Sequence, residues 1–175
     1  LIGNDDERAK KAAGEAERAG HEGLVELRRL LGMLRTNEPA SRTPQPRLTQ
    51  LGALVEQMAE AGLNVTVAIE GEPRALPPGM DLNAYRIVQE SLTNVLKHGG
   101  PGATARVVIA YRPNSIDMEV ADDGRGAASS ISSSNSGQGL MSMRERSAIL
   151  NGTFDAGPQP GGGFRVSVSI PCDTR

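Results

Sequence analysis

The chain has 175 residues, 19 of them basic and 21 acidic, for a formal charge of -2. That length suits one domain with a real core plus an appended element, and the balanced charge removes any electrostatic case for nucleic acid or an anionic membrane surface. The single cysteine, Cys172, excludes an intramolecular disulfide and a thiolate metal site and fits a reducing cytoplasm. No apolar run approaches the roughly 20 residues of a bilayer span, and no signal-peptide pattern is present.

The chain opens on Leu1 and enters a charged helical pattern almost at once, as a piece cut from a longer protein would. Between Asp5 and Arg35, seven acids and seven bases surround Leu24, Leu27, Leu31 and Leu34, which recur at spacings of three and four. This predicts a helix with an apolar seam suited to a helical bundle or coiled coil with another chain. Toward its start the seam weakens into Ala13, Gly14, Gly20 and Gly23. The next stretch, 37–47, carries Pro39, Pro44 and Pro46 and reads as a linker. The expected organisation is therefore a helical segment over 1–36, the linker 37–47 and a domain over 48–175.

Within that domain, Leu48 to Ala61 is an amphipathic helix stopped by Gly62, and Val65, Val67 and Ile69 alternate with polar or small residues as in a half-buried strand. A second helix is predicted from Asp81, read as its N-cap, to Lys97, ended by the glycines and proline of 99–102. Arg106 to Tyr111 and Ser115 to Ala121 form strands joined by Arg112-Pro113-Asn114, a hairpin. A Gly/Ser-rich stretch leads into a helix over Leu140 to Leu150, followed by strands around Thr153 and from Phe164 to Ile170. This segregation favours an α+β two-layer sandwich, one antiparallel or mixed sheet covered on one face by helices.

Familiar phosphate loops are absent. No Gly-x-x-x-x-Gly-Lys-Ser/Thr occurs, and Ser129 and Ser142 stand where a dinucleotide fingerprint needs its third glycine. Three other segments can carry chemistry. On the Asp81 helix, Glu90 and Asn94 lie four residues apart on one face, with Lys97 and His98 a turn further on, and the rest of the helix is apolar. Asp122-Asp123-Gly124-Arg125-Gly126 follows a hydrophobic strand, offering a carboxylate to an exocyclic amine and glycines for close backbone approach. Gly137-Gln138-Gly139-Leu140 runs into a helix whose first amides and dipole face any bound anion, with Arg144 on the next turn. Each has an ordinary alternative: a solvated helix face, an Asp-Gly turn, a flexible loop with its cap.

The three segments in this order, from Leu82-Asn83-Ala84-Tyr85 through Glu90, Asn94 and His98, then 122–126, then Gly137 to Arg146, closely resemble the nitrate-sensor and desaturase-sensor type of two-component histidine kinase. The likeness continues through Gly161-Gly162-Gly163-Phe164 to Pro171 and backwards through His21 to Arg35, which resembles the end of the dimerisation domain's second helix. The resemblance implies the Bergerat ATP-binding fold shared with gyrase, Hsp90 and MutL. It further implies that Asn94 ligates Mg²⁺, Asp122 reads adenine beside Gly124 and Gly126, and Glu90 acts catalytically at the phosphate end. Lys97, His98 and Arg144 would meet phosphate charge, while Gly137, Gly139 and Leu140 close a Ser-rich lid over ATP.

The implied function is transfer of the ATP γ-phosphoryl to a histidine outside this chain, for relay to a response-regulator aspartate, in a cytoplasmic unit whose parent is a homodimer and is membrane-anchored or soluble. The chain alone is not expected to phosphorylate itself. His21-Glu22 resembles an acceptor pair only superficially, since it sits on the second-helix pattern, and Gly163 stands near where many relatives carry a threonine. Two other functions fit the same motifs: an ATP-binding regulatory module without transfer, and a serine kinase of the anti-sigma type.

Overall fold

Glycine and proline punctuation sets the elements of the domain. The computed structural model describes residues 45–124 and 136–172; the expected helix of 1–36, most of the linker, Gly126 and the Ser-rich lid lie outside them. A short 3-10 turn, Leu48–Gln50, leads into helix α1, Leu51–Glu60, so the amphipathic stretch begins with a tighter turn than predicted. Gly62, at φ +90°, then reverses the chain, a conformation open to glycine without a Cβ penalty. Strand β1, Asn64–Glu70, follows, and after a Pro-rich passage helix α2 spans Pro78–His98.

Helix α2 starts three residues before the predicted cap. Pro78 occupies its first turn, where a missing N–H costs nothing, and Pro77 supplies the extended backbone in front. Asp81 is thus inside the helix. Its buried carboxylate instead accepts the Leu48 N–H at 2.8 Å, tying the entry of the domain to α2.

Strands β2, Thr104–Tyr111, and β3, Ser115–Asp122, form the expected hairpin, with the Arg112 N–H donating to the Ser115 carbonyl at 2.9 Å. Helix α3, Ser136–Ile149, begins four residues earlier than predicted, and strands β4, Thr153–Pro158, and β5, Phe164–Pro171, complete the domain. The sheet is mixed, ordered β1-β2-β3-β5-β4, with β1 parallel to β2 and every other pairing antiparallel.

The α+β sandwich follows from period-two patterning. Ala105, Val107 and Ile109 of β2, Ile116, Met118 and Val120 of β3, and Val166, Val168 and Ile170 of β5 are buried on one sheet face. Ile87, Val88, Leu92 and Val95 of α2 and Met143 of α3 belong to the same core cluster. With two phenylalanines, two tyrosines and no tryptophan, the core is aliphatic and thioether, each full burial contributing roughly 2 kcal/mol. The expectation for β1 holds only at its start. Val65 packs against the core, but Val67 and Ile69 are 39% and 58% exposed, because β1 is an edge strand. Among the described residues, no helix is long and apolar enough to cross a membrane.

Candidate nucleotide site between two helices

The site is built from one face of α2, the first turn of α3 and the end of β3. On α2, Ile87, Val88, Ser91, Leu92 and Val95 are buried, whereas Glu90 and Asn94 are half-buried at one edge of that face. A four-residue step on a helix advances just over one turn, so the carboxylate and carboxamide stand one above the other. Ser91 anchors this register by donating to the Ile87 carbonyl at 2.8 Å and contacting the Met143 thioether of α3 at 3.2 Å.

Opposite them lies Gly139. A Cβ built there would sit 2.5 Å from Glu90 Oε1, 3.3 Å from Asn94 Nδ2 and 3.5 Å from Asn94 Oδ1. The absent side chain is thus the space on which both polar groups converge. Because α3 starts at Ser136, Gly137 and Gly139 belong to its first turn and not to a preceding loop. Amides of that turn lack intrahelical acceptors and face whatever anion approaches the helix end. Leu140 is half-buried against the core, so it roots the start of α3.

Asp122 ends β3. It shares the parity of Ile116, Met118 and Val120, which turns its carboxylate toward the helical layer, where it is 9% exposed. It accepts the Gly124 N–H at 2.9 Å, and the Phe164 backbone amide also lies near it. Burial pushes its pKa above the ordinary carboxylate value; the two amides oppose that shift, and the Asp123 charge adds to it. Asp123 points elsewhere. It accepts the Thr104 N–H at 2.6 Å and the Thr104 hydroxyl at 2.8 Å, which hold its carboxyl below the usual range.

Two glycines join the α2 end of the site to the β3 end. A Cβ on Gly124 would lie 2.6 Å from both Cα and O of Gly99, while one on Gly99 would lie 2.7 Å from the Val95 carbonyl. Gly99 reads in the sequence merely as a helix stop, so its packing role is invisible there. Gly163 has φ +83°, and a Cβ on it would collide with the Asp122 carbonyl. No threonine fits at this position; the glycine is a backbone requirement.

The remaining predicted residues are placed less centrally. Lys97 and His98 are exposed on the last turn of α2. Partial burial, followed by the Lys97 charge, pushes the His98 pKa down and favours a neutral imidazole. Arg144 is exposed on α3 with its guanidinium over the Phe154 ring of β4, 5.5 Å from the centroid, and not over the Glu90–Asn94 face. Gln159, which no motif singles out, donates its side-chain amide to the Asp122 carbonyl at 3.0 Å. Among the described residues, no group of three or more His, Cys, Asp or Glu is arranged to hold a metal ion.

Residues 79–174 match the family described as histidine kinase-, DNA gyrase B-, and HSP90-like ATPase. The sensor histidine kinase LnrJ of Bacillus subtilis is 29% identical over 167 residues, covering 95% of this chain and 39% of the relative. The chain therefore spans well under half the length of that relative. Among solved structures, the histidine kinase domain of the Erythrobacter litoralis EL346 blue-light activated histidine kinase is similar with a TM-score of 0.59 at 21% identity, over 79% of this chain and 67% of that one. Full-length ShkA, solved in complex with AMPPNP, is similar with a TM-score of 0.56 at 20% identity, over 94% of this chain and 39% of that one. The chain belongs to the histidine kinase-, DNA gyrase B- and HSP90-like ATPase family.

Proposed function

We propose that this domain binds Mg-ATP between α2 and α3 and transfers the γ-phosphoryl to a histidine carried by the dimerisation domain of its own parent protein, for relay to a response-regulator aspartate. The observation that carries the reading is the convergence of Glu90 and Asn94 on the gap left by Gly139, beside the first turn of α3. ShkA was solved with an ATP analogue, which supports a nucleotide in the equivalent layer.

In this reading the adenine amine donates to Asp122, whose carboxylate Gly124 holds through its backbone N–H while packing closely against Gly99. The triphosphate runs toward α3, where the first-turn amides around Gly137 and Gly139 receive it and Leu140 anchors that turn. Asn94 offers one hard oxygen ligand, which fits Mg²⁺ because that ion keeps several waters and takes its other ligands from phosphate. Held by Asn94, the ion would supply charge neutralisation to the phosphates. Glu90, next to that position, orients the attacking group at the γ-phosphoryl. Lys97 supplies positive charge near α2's end and His98 a hydrogen-bond donor. Arg144 joins the phosphates only by leaving the Phe154 ring.

Residues 1–36 then form the end of a dimerisation helix in a homodimeric, cytoplasmic kinase unit, and 37–47 tether it to the ATP-binding domain over 48–175. Incubation with labelled ATP tests the reading. The expected result is acid-labile phosphohistidine on a separately supplied dimerisation domain of the parent and none on this chain alone. Label on His21, abolished by His21→Gln, or failure to bind Mg-ATP in calorimetry, overturns it.

A further inference from the structure

The β3–β5 ladder ends at the pair Ala121–Arg165, one residue short of Asp122. Beyond the last ladder pair, the Asp122 carbonyl takes its hydrogen bond from the Gln159 carboxamide at 3.0 Å, and the same Nε2 reaches the Phe164 carbonyl at 3.4 Å. Gln159 sits in the turn between β4 and β5. Its own N–H donates to the Gly163 carbonyl at 3.0 Å, and its carbonyl accepts the Gly162 N–H at 3.1 Å, so the turn is closed on itself. Gly161, Gly162 and Gly163 all have positive φ, which a side-chain-bearing residue rarely adopts. A tight glycine turn therefore presents one amide side chain to the strand end.

That strand end is where the Asp122 carboxylate accepts the Gly124 amide at 2.9 Å. Gln159 thus grips the backbone of Asp122 and of Phe164 with a single planar group.

We propose that Gln159 is a positioning residue for base selection: by donating to both carbonyls it fixes the strand end from which the Asp122 carboxylate meets an adenine amine. The inference rests on the assignment of Asp122 to adenine made above. Adenine presents an amine donor at C6, where guanine presents a carbonyl acceptor. A rigidly held carboxylate attracts the first and repels the second, whereas a carboxylate free to swing does neither well. Recognition groups must be held to about half an ångström to discriminate. Without Gln159, the Asp122 carbonyl also loses this donor.

The test is calorimetry of Mg-ATP and Mg-GTP with the full chain, its Gln159→Met variant, which keeps side-chain length but removes the donor, and Asp122→Asn. Loss of the Gln159 amide donor in Gln159→Met should weaken ATP binding about three- to tenfold. The ATP-to-GTP preference should fall with it, and the melting temperature by no more than the loss of this partly buried donor costs. If that variant folds poorly, Gln159→Glu, equally long and without the amide donor, carries the same expectation. Unchanged ATP affinity in the Gln159 variant alongside a loss in Asp122→Asn overturns the inference and leaves the adenine assignment intact. Unchanged affinity and base preference in both overturns the two together. Equal loss of ATP and GTP binding with a lowered melting temperature reduces Gln159 to a hairpin brace and overturns the positioning role.

Discussion

Gly139 of α3 faces Glu90 of α2 so closely that a Cβ at 139 would stand 2.5 Å from the Glu90 carboxylate. The obstructing atom is the far end of a flexible side chain, so a methyl group can displace it without moving backbone. Glycine within a helix costs about 1 kcal/mol relative to alanine. The two effects act on different properties. Gly139→Ala should hold or raise the melting temperature, because the helix gains and Glu90 swings aside. Phosphotransfer should fall about tenfold or more, because the displaced carboxylate no longer faces the reacting phosphate. Calorimetric melting together with the trans-phosphorylation assay checks this; unchanged transfer would show that the Glu90–Gly139 approach has no catalytic consequence.

Asn94 is half-buried among apolar α2 positions and offers a carboxamide oxygen at the same gap. Asn94→Ala should abolish most of the magnesium-dependent increment of ATP binding, a loss of about tenfold or more for one inner-sphere ligand. ATP measured in excess chelator should bind wild type and variant alike. Titrations with and without Mg²⁺ separate the two contributions, and an undiminished increment would remove Asn94 from the metal site.

Asp122 has a pKa raised by burial, so its charged form is disfavoured in the fold relative to the unfolded chain. For a carboxylate raised in this way, the linked stability is fully present below the unfolded pKa and is lost as pH rises through the folded one. At neutral pH the buried charge is therefore a destabilising feature. Asp122→Asn should leave the melting temperature at pH 7 unchanged or slightly higher and weaken ATP binding. In the wild type, ATP affinity should decline on acidification from a higher pH than an exposed aspartate would give, since the proton blocks an acceptor. Binding titrations across acidic pH check the direction, with Asp122→Asn as the pH-insensitive reference.

Asp81 and Leu48 lie 33 positions apart and share a buried hydrogen bond of 2.8 Å. Asp81→Ala leaves the Leu48 N–H without its acceptor, which should cost about 1–3 kcal/mol. For a domain of this size that is a fall of several degrees in melting temperature. Asp81→Asn, which retains an oxygen acceptor, should recover part of it. Since Asp81 is remote from Glu90 and Asn94 in the helix, Mg-ATP affinity below the melting transition should be unaffected.

What the sequence determined by itself is what repeats on a short period. The step of four between Glu90 and Asn94 fixes their common face once α2 is a helix. Alternation in Ser115–Asp122 fixes that Asp122 lies on the buried side of β3. The Pro-Asn turn fixes the hairpin, and the order of the three polar segments fixes the family. Tertiary structure decided the rest, because those features depend on which elements meet. Asp81 reads locally as a helix cap, yet the Pro77-Pro78 pair takes that position and the 3-10 turn at Leu48 claims its carboxylate. Val67 and Ile69 alternate like buried residues, but β1 has a neighbour on one side only. Gly99 and Gly124 look like turn residues and are the place where α2 and β3 touch. Gln159 carries no local pattern at all, and reaches Asp122 across 37 positions only because β4 and β5 fold back beside β3. Periodicity records the geometry of one element; contact between elements is set by packing, which no short window of sequence contains.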